Sequence, residues 1–234
     1  MSGRIGRTSA ENRKRAEKKR GRVHRKDREK TVETAGKKEV WKPGNLVYPL
    51  PAVLVSMATE DGRDNLITVA WTGTVCTNPA MLYISVRPER YSYELLKESK
   101  EFVVNLTTED LAYATDWCGV RSGRDYDKWK ETGLTRGRAS ALAFAPTVKE
   151  SPVNIECRIT QIQELGSHHM FLAEVLAVQA DTAYLEENGR FSLNQSGLLA
   201  YSHGEYLSLG KSLGKFGWSV KTEKKHAGKK KKFP

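Results

Sequence analysis

Charge is distributed very unevenly along this chain of 234 residues, and this distribution limits where a folded core can form. Residues 1–38 carry a net charge of +10 and residues 221–234 carry +6, whereas residues 39–220 carry −5. A segment rich in Lys and Arg with few apolar side chains cannot bury enough surface to offset its ordering entropy. The sequence therefore predicts one domain over 39–220, between a basic disordered tail (1–38) and a Lys-rich disordered tail (221–234).

The same distribution argues against several classes of protein. The predicted domain is mildly acidic, so we expect nucleic acid to bind only weakly, through the tails. The uncharged stretch 66–86 contains Thr, Asn, Gly and Pro, which indicates strands and a turn, and we expect no membrane span. Three scattered cysteines, Cys76, Cys118 and Cys157, do not make a disulfide framework, which favours a reducing, cytoplasmic compartment.

Strand patterns dominate the predicted domain, and its helical patterns are short. The apolar phase of 153–164 slips by one position between Ile159 and Ile162, which is typical of a β-bulge in a bent strand. No long β-α-β alternation occurs, so we expect a mainly β fold, a Greek-key-like antiparallel barrel with short helical insertions. Strands are predicted at 52–58, 66–71, 81–86, 101–106, 153–164 and 168–180, and helices at 91–100, from a cap at Thr108 to about Trp117, and at 128–132.

Uncharged hydrogen-bonding side chains are concentrated between Thr68 and Asn78, and Ser85 and Arg87 follow on the next strand. A ligand with a flat aromatic body and an anionic tail needs this combination of hydroxyls, backbone N–H groups and one cation. A Thr-rich barrel strand with an ordinary turn would give the same composition. The histidines and cysteines lack metal-ligand spacing, so no metal site is expected.

Four segments follow one another in a distinctive order and spacing: NLITVAWTGTVCTNP (65–79), SVRPERYSYELLKES (85–99), EFVVNL (101–106) and DLAYATDWCGVRSGRDYDKW (110–129). Through these segments the chain, from about Asn45 to Val220, resembles the flavin reductase-like family of FMN-binding split barrels, in particular its flavoredoxin-type members. Neither tail belongs to the resemblance. It implies a homodimer that binds FMN non-covalently at or near the dimer interface.

The resemblance also implies roles for individual residues of the FMN site. The flavin ring would be lined by Thr68, Val69, Ala70 and Trp71. The phosphate would be bound by Cys76, Thr77 and Arg87, with Ser85 and Tyr91 nearby. Further candidates are Asn105, Cys118, Arg121, Ser122 and Arg124. Cys118 is open to two interpretations, a redox thiol beside the flavin or a packing residue.

A turn between the last two predicted strands, Gly166-Ser167-His168, looks like the Gly-Asp-His turn of the family's reductases. It makes His168 the candidate contact for the nicotinamide of NAD(P)H, although Ser167 replaces the Asp. The expected function is a flavin reductase-like oxidoreductase that passes electrons from NAD(P)H through FMN to an unknown acceptor. Two alternatives stay open: an electron carrier reduced by a partner protein, and a nucleic-acid-associated protein acting through its tails.

Overall fold

The computed structural model of the chain describes residues 36–220. The chain separates into two units, one that ends at Leu46 and one that begins at Val47. In the first unit, the described residues 36–46 form no helix or strand. The two predicted tails lie outside the described residues, apart from positions 36–38. No helix within residues 36–220 has the length and apolar character needed to cross a membrane.

The second unit is built mainly from antiparallel strands. Among its described residues, 47–220, the α-helices are α1 (Tyr91–Ser99), α2 (Ala112–Val120) and α3 (Lys128–Thr132), and a 3-10 turn (Glu109–Leu111) precedes α2. Its strands are β1 (Leu50–Pro51), β2 (Val53–Ala58), β3 (Asp64–Val69), β4 (Thr72–Cys76), β5 (Met81–Val86), β6 (Glu101–Leu106), β7 (Arg136–Gly137), β8 (Thr147–Val148), β9 (Val153–Glu164), β10 (His169–Ala180), β11 (Leu199–Ser202) and β12 (Glu205–Ser208).

Seven strands form one sheet in the order β3-β2-β6-β9-β10-β5-β4. Its two edge strands, β3 and β4, are consecutive in the chain and are joined only by Ala70 and Trp71. Six strand spacings of about 4.8 Å would separate the edges of a flat sheet by roughly 29 Å, whereas this connection spans at most about 11 Å. The sheet must therefore curl into a barrel, in which β3 and β4 are neighbours but do not pair with each other.

Two apolar clusters lie on opposite faces of the curled sheet. The barrel interior holds Val53 and Val55 of β2 together with Phe102 and Phe171, and α1 contributes further side chains to it. Leu54, between the two inward-facing valines, belongs instead to a second cluster with side chains of α2 and α3. Because β2 is buried on both faces, its sequence is apolar at every position except Ser56 rather than alternating.

The long hairpin predicted in the second half is confirmed. β9 and β10 pair along their whole length, and Leu172 faces Gln161 while Ala173 faces Ile159, so Thr160 is the extra residue of a bulge. This bulge lies between Ile159 and Ile162, where the apolar phase slips. A second register shift occurs between Val175 and Ala177 on β10.

Three local expectations were wrong. The sequence suggested one turn between the strands at 66–71 and 81–86, but β4 occupies much of that interval and pairs with β5. Thr108 makes no side-chain cap hydrogen bond, and the backbone N–H of Glu109 after it donates to the carbonyl of Gly197 at 2.9 Å. The helix predicted to end near Trp117 continues to Val120, where Gly119 allows it to pack closely against Thr68.

Candidate functional site

The short connection that closes the barrel also forms the wall of a cavity of about 320 Å³. Residues 67–71 line one side of this cavity, and the end of β5, from Ser85 to Arg87, lines another. The backbone N–H of Ser85 donates to the carbonyl of Trp71 at 2.8 Å, which ties the two sides together. The barrel closure therefore fixes the shape of this first cavity.

Two aromatic rings stand parallel at the edge of the first cavity. The rings of Trp71 and His168 have centroids 5.9 Å apart and planes inclined by 7°. The hydroxyl of Ser167 lies 3.0 Å from Nδ1 of His168. When this hydroxyl donates to Nδ1, the proton of the neutral imidazole is on Nε2, which is then a hydrogen-bond donor. Ser167 thus makes a hydrogen bond to the ring without adding negative charge.

The environment of His168 favours its neutral form. Burial lowers the pKa of His168 below its ordinary value of 6.5, and the neighbouring Arg87 and Arg90 lower it further, against an opposing effect of Glu89. At pH 7 the imidazole is therefore uncharged and available for stacking and for one donated hydrogen bond.

A second cavity, of about 410 Å³, adjoins the first and shares Ile67, Arg87 and Arg90 with it. Its lining contains only one carboxylate, that of Glu89. Within residues 36–220, none of its cations forms an ion pair with a carboxylate. The five cations that line it are Arg87, Arg90, Arg121, Arg124 and Lys128. A concave site with this charge pattern suits an anion.

Lys128 is the most unusual of these cations, because only 3% of its surface is exposed. Its ammonium donates to the carbonyl of Cys118 at 2.7 Å, and no carboxylate of the described residues lies within ion-pair distance. Burial lowers the pKa of Lys128 to about 8, and Arg90 contributes in the same direction. A buried ammonium has three donors, so Lys128 retains the capacity to bind an anion that enters the cavity.

A tight hairpin closes the first cavity on a further side. β11 and β12 are joined by His203 and Gly204, which have φ values of 49° and 87°, and positive φ at both positions is typical of a type I′ turn. Tyr201 and Tyr206 of this hairpin line the cavity together with Asp116 of α2. Burial raises the pKa of Tyr206 to about 12, and the charge of Asp116 raises it further, so its hydroxyl stays protonated.

Most of the residues predicted from the sequence lie around these two cavities. The first cavity is lined by Thr68, Val69, Ala70, Trp71, Ser85, Arg87 and His168, and the second by Arg87, Tyr91, Arg121, Ser122 and Arg124. The hydroxyl of Thr68 donates to the carbonyl of Thr115 on α2. Thr68 therefore shapes the cavity wall, and its hydroxyl proton is engaged within the protein rather than available to a ligand.

Four predicted residues line neither cavity. Asn105 is fully buried, and its amide hydrogen bonds connect the Leu54 carbonyl at 3.0 Å with the Val148 N–H at 2.9 Å, which is a structural role. Cys118 is packed in the second apolar cluster, where burial raises its pKa to about 11, so the packing interpretation holds. Cys76 pairs with Met81 at the far end of β5, about 13 Å along the strand from Ser85, and Thr77 follows it.

The cavity residues that were not among the predicted site residues include Arg90, Asp116 and Lys128. Arg90 follows Arg87 by three positions, and this spacing could have suggested it. Asp116 lies four residues before Val120 on α2, so helical periodicity places both on one face. Nothing in the local sequence distinguishes Lys128, an ordinary Lys at the start of a short helix, from its exposed neighbour Lys130.

Comparison with known proteins shows which family and fold the chain has. A family model, the flavin reductase like domain, matches residues 46–210. Flavoredoxin of Desulfovibrio vulgaris (Miyazaki F) superposes with a TM-score of 0.73 and 28% identity, over 79% of this chain and all of that chain. An uncharacterized protein of Archaeoglobus fulgidus is 29% identical over 159 residues, which cover 68% of this chain and 87% of the relative.

A more distant relative, the NADPH-flavin oxidoreductase of Streptomyces viridifaciens, is 24% identical over 66% of this chain and 76% of its own length. The family model covers well over half of the chain, and it ends close to the limits of the barrel and its covering hairpin. This chain belongs to the flavin reductase-like family and has the split-barrel flavoprotein fold of that family.

Proposed function

We propose that the protein binds FMN and acts as an oxidoreductase that passes electrons from NAD(P)H through FMN to an acceptor. The observation that carries the proposal is the pair of adjoining cavities. One is uncharged along residues 67–71 and bounded by flat rings, and the other is lined by cations without paired carboxylates. A flavin mononucleotide has the same division into a flat ring system and an anionic end.

The residues present fit such a ligand. Lys128 is a buried ammonium whose one hydrogen bond goes to a carbonyl, and such a donor is costly to bury unless an anion compensates it. We assign Lys128, Arg87 and Arg90 to the phosphate of FMN, because a phosphate takes charge-assisted hydrogen bonds from several donors at once. We assign the backbone of 67–71 to the flavin ring, which Trp71 would border.

FMN supplies the redox chemistry when it is bound, since it accepts a hydride and passes electrons on. The chain positions the ring against residues 67–71 and compensates the phosphate charge. It also holds a neutral imidazole, His168, at the mouth of the cavity. We assign His168 to the amide of a nicotinamide, because Nε2 can donate one hydrogen bond while Ser167 orients the ring.

A homodimer is part of the proposal. Val120 lines the first cavity and is 68% exposed, and Tyr113 on the same helix is 72% exposed. Exposed apolar groups at the edge of a ligand site are typical of an interface. If a second subunit covers this edge, FMN affinity should fall when the protein is diluted below its dimer dissociation constant. A monomer that keeps full FMN affinity at any dilution would exclude this arrangement.

An electron carrier is the second candidate, and the similarity to flavoredoxin along the whole length of that chain favours it. A carrier would be reduced by a partner protein and would oxidise NADH or NADPH slowly or not at all. Steady-state oxidation of each nucleotide, measured with FMN present and a dye as acceptor, separates the two functions. Turnover with either nucleotide supports the reductase.

Binding of FMN is tested most sharply by comparing FMN with riboflavin, which lacks the phosphate. The purified protein should take up one FMN per subunit, seen as a flavin absorbance spectrum. Lys128→Met should weaken FMN by about tenfold or more and riboflavin little, since only FMN loses a charge-assisted bond. Lys130→Met, a change of the exposed lysine on the same helix, is the matched control. Equal losses for both flavins would refute the phosphate assignment.

A further inference from the structure

The second cavity carries more positive charge than one phosphate needs. Its lining contains five cations and one carboxylate, a formal charge of +4. A phosphate monoester carries about −2 at neutral pH, so roughly half of this charge would remain uncompensated after FMN binds. The cations also differ in depth, because Lys128 is buried whereas Arg121 and Arg124 are exposed at the rim. This surplus at the rim indicates a second anion.

The loop that carries the two rim arginines is held in one conformation. Gly123 lies so close to β3 that a Cβ there would come within 2.4 Å of Oδ1 of Asn65. The side chain of Arg124 donates to the carbonyl of Glu89 at 3.0 Å, and its backbone N–H donates to the hydroxyl of Ser122 at 3.2 Å. The guanidinium of Arg124 is therefore anchored at the cavity by the fold.

Each rim arginine also lies over an aromatic ring. The guanidinium carbon of Arg121 is 5.5 Å from the ring centre of Tyr126, and that of Arg124 is 5.8 Å from that of Tyr91. A guanidinium near a ring is held by a cation–π attraction and carries five N–H donors, of which Arg124 uses one on the carbonyl of Glu89, so donors remain for phosphate oxygens. Two arginines in this arrangement suit a phosphate group.

We propose that Arg121 and Arg124 form a second phosphate subsite, which binds a phosphate of the dinucleotide that donates electrons, while Lys128 binds that of FMN. The inference rests on the proposed function, because it needs a dinucleotide whose nicotinamide reaches the first cavity. NADH offers its pyrophosphate, and NADPH offers in addition a 2′-phosphate, a group that arginine commonly accommodates.

The test measures binding rather than turnover. NAD⁺ and NADP⁺ are titrated calorimetrically into the FMN-loaded protein and into the Arg121→Gln/Arg124→Gln variant. The variant should bind at least one dinucleotide about tenfold more weakly at low salt, while its FMN dissociation constant changes by less than about threefold. The control Arg138→Gln/Arg158→Gln makes the same charge change at two exposed arginines that line neither cavity, and it should leave both affinities unchanged.

The outcomes separate the possible sources of the phosphate. A loss confined to NADP⁺ assigns the subsite to the 2′-phosphate, and equal losses for both dinucleotides assign it to the pyrophosphate. The proposal is overturned if FMN weakens as much as the dinucleotide, if neither dinucleotide responds to the variant, or if the wild type binds neither. If the wild type takes up no FMN, the proposed function itself fails, and the same titration of the flavin-free protein still reports whether the rim binds dinucleotides.

Discussion

Replacing Lys128 by Met should make the ligand-free protein more stable at pH 7. The ammonium of Lys128 is buried beside the apolar cluster of α2 and α3, with one hydrogen bond to a backbone carbonyl. Burial lowers its pKa from 10.5 to about 8, so folding is opposed by the charged form of this side chain. Met has a similar length and no charge, and it removes the cost of burying that charge.

The size of the effect follows from the pKa. A shift from 10.5 to about 8 costs about 3 kcal/mol of folding free energy at pH 7, where Lys128 is charged in both states. The cost falls as the pH rises, because the folded protein loses the proton near pH 8 and the unfolded chain only near 10.5, and about 1 kcal/mol remains at pH 10. The lost hydrogen bond offsets about 1 kcal/mol at either pH. We therefore expect a net gain of about 2 kcal/mol at pH 7 and almost none at pH 10.

Urea unfolding of the flavin-free protein at pH 7 and pH 10 measures this difference, with Lys130→Met as the control for an exposed lysine. The same Lys128→Met variant should bind FMN more weakly, so stability and cofactor affinity should change in opposite directions. A variant that is less stable than the wild type at pH 7, or a difference that does not vary with pH, would refute the reasoning.

Three further predictions concern other residues. Arg87→Ala should weaken FMN more than riboflavin in a fluorescence titration, and equal weakening would remove Arg87 from the phosphate. His168→Ala should keep the FMN spectrum while the KM for NAD(P)H rises several-fold, and unchanged kinetics would make the turn structural. Glu156→Gln should cost about 2–4 kcal/mol in denaturant unfolding, because its buried carboxylate accepts hydrogen bonds from Ser140, Ala141 and Gln179. Burial alone would raise the pKa of Glu156, but these hydrogen bonds outweigh it and lower that pKa. The stabilisation is therefore present at neutral pH and disappears as the pH falls below about 4.5. A destabilisation of less than about 1 kcal/mol by Glu156→Gln at pH 7 would contradict this prediction.

The pattern of apolar residues was sufficient to predict strands and bulges that the local sequence determines. The strand at 81–86 has the predicted bounds, and the slip of apolar phase before Ile162 marks the bulge at Thr160. β4 was missed because it is an edge strand with exposed Thr and Val side chains, so its sequence has no apolar alternation. Its partner β5 supplies the pairing, and that partnership is not visible in the sequence of β4 alone.

The candidate site was predictable where it depends on backbone position and not where it depends on burial. Uncharged hydrogen-bonding side chains begin at Thr68 and continue to Asn78, and the family resemblance pointed to residues 68–71 as the lining of the flavin ring. The resemblance made Asn105 and Cys118 further candidates, but in the fold Asn105 hydrogen-bonds to neighbouring backbone and Cys118 is packed in an apolar cluster. Lys128 shows the opposite case, since only the fold places its ammonium under the loop that follows α2.

The net charge of the domain gives no indication of the cations that line the second cavity. The segment 39–220 carries −5, which argues against an anion-binding domain when it is averaged over the surface. The fold gathers five of the segment's cations around one cavity with a single carboxylate, so the rest of the domain is more acidic than its net charge indicates. A dinucleotide that approaches such a surface is repelled over most of it and attracted at one point. The tails carry +16 in total and are the same in the Arg121→Gln/Arg124→Gln variant, so association of NADP⁺ should slow with added salt more steeply in the wild type than in that variant.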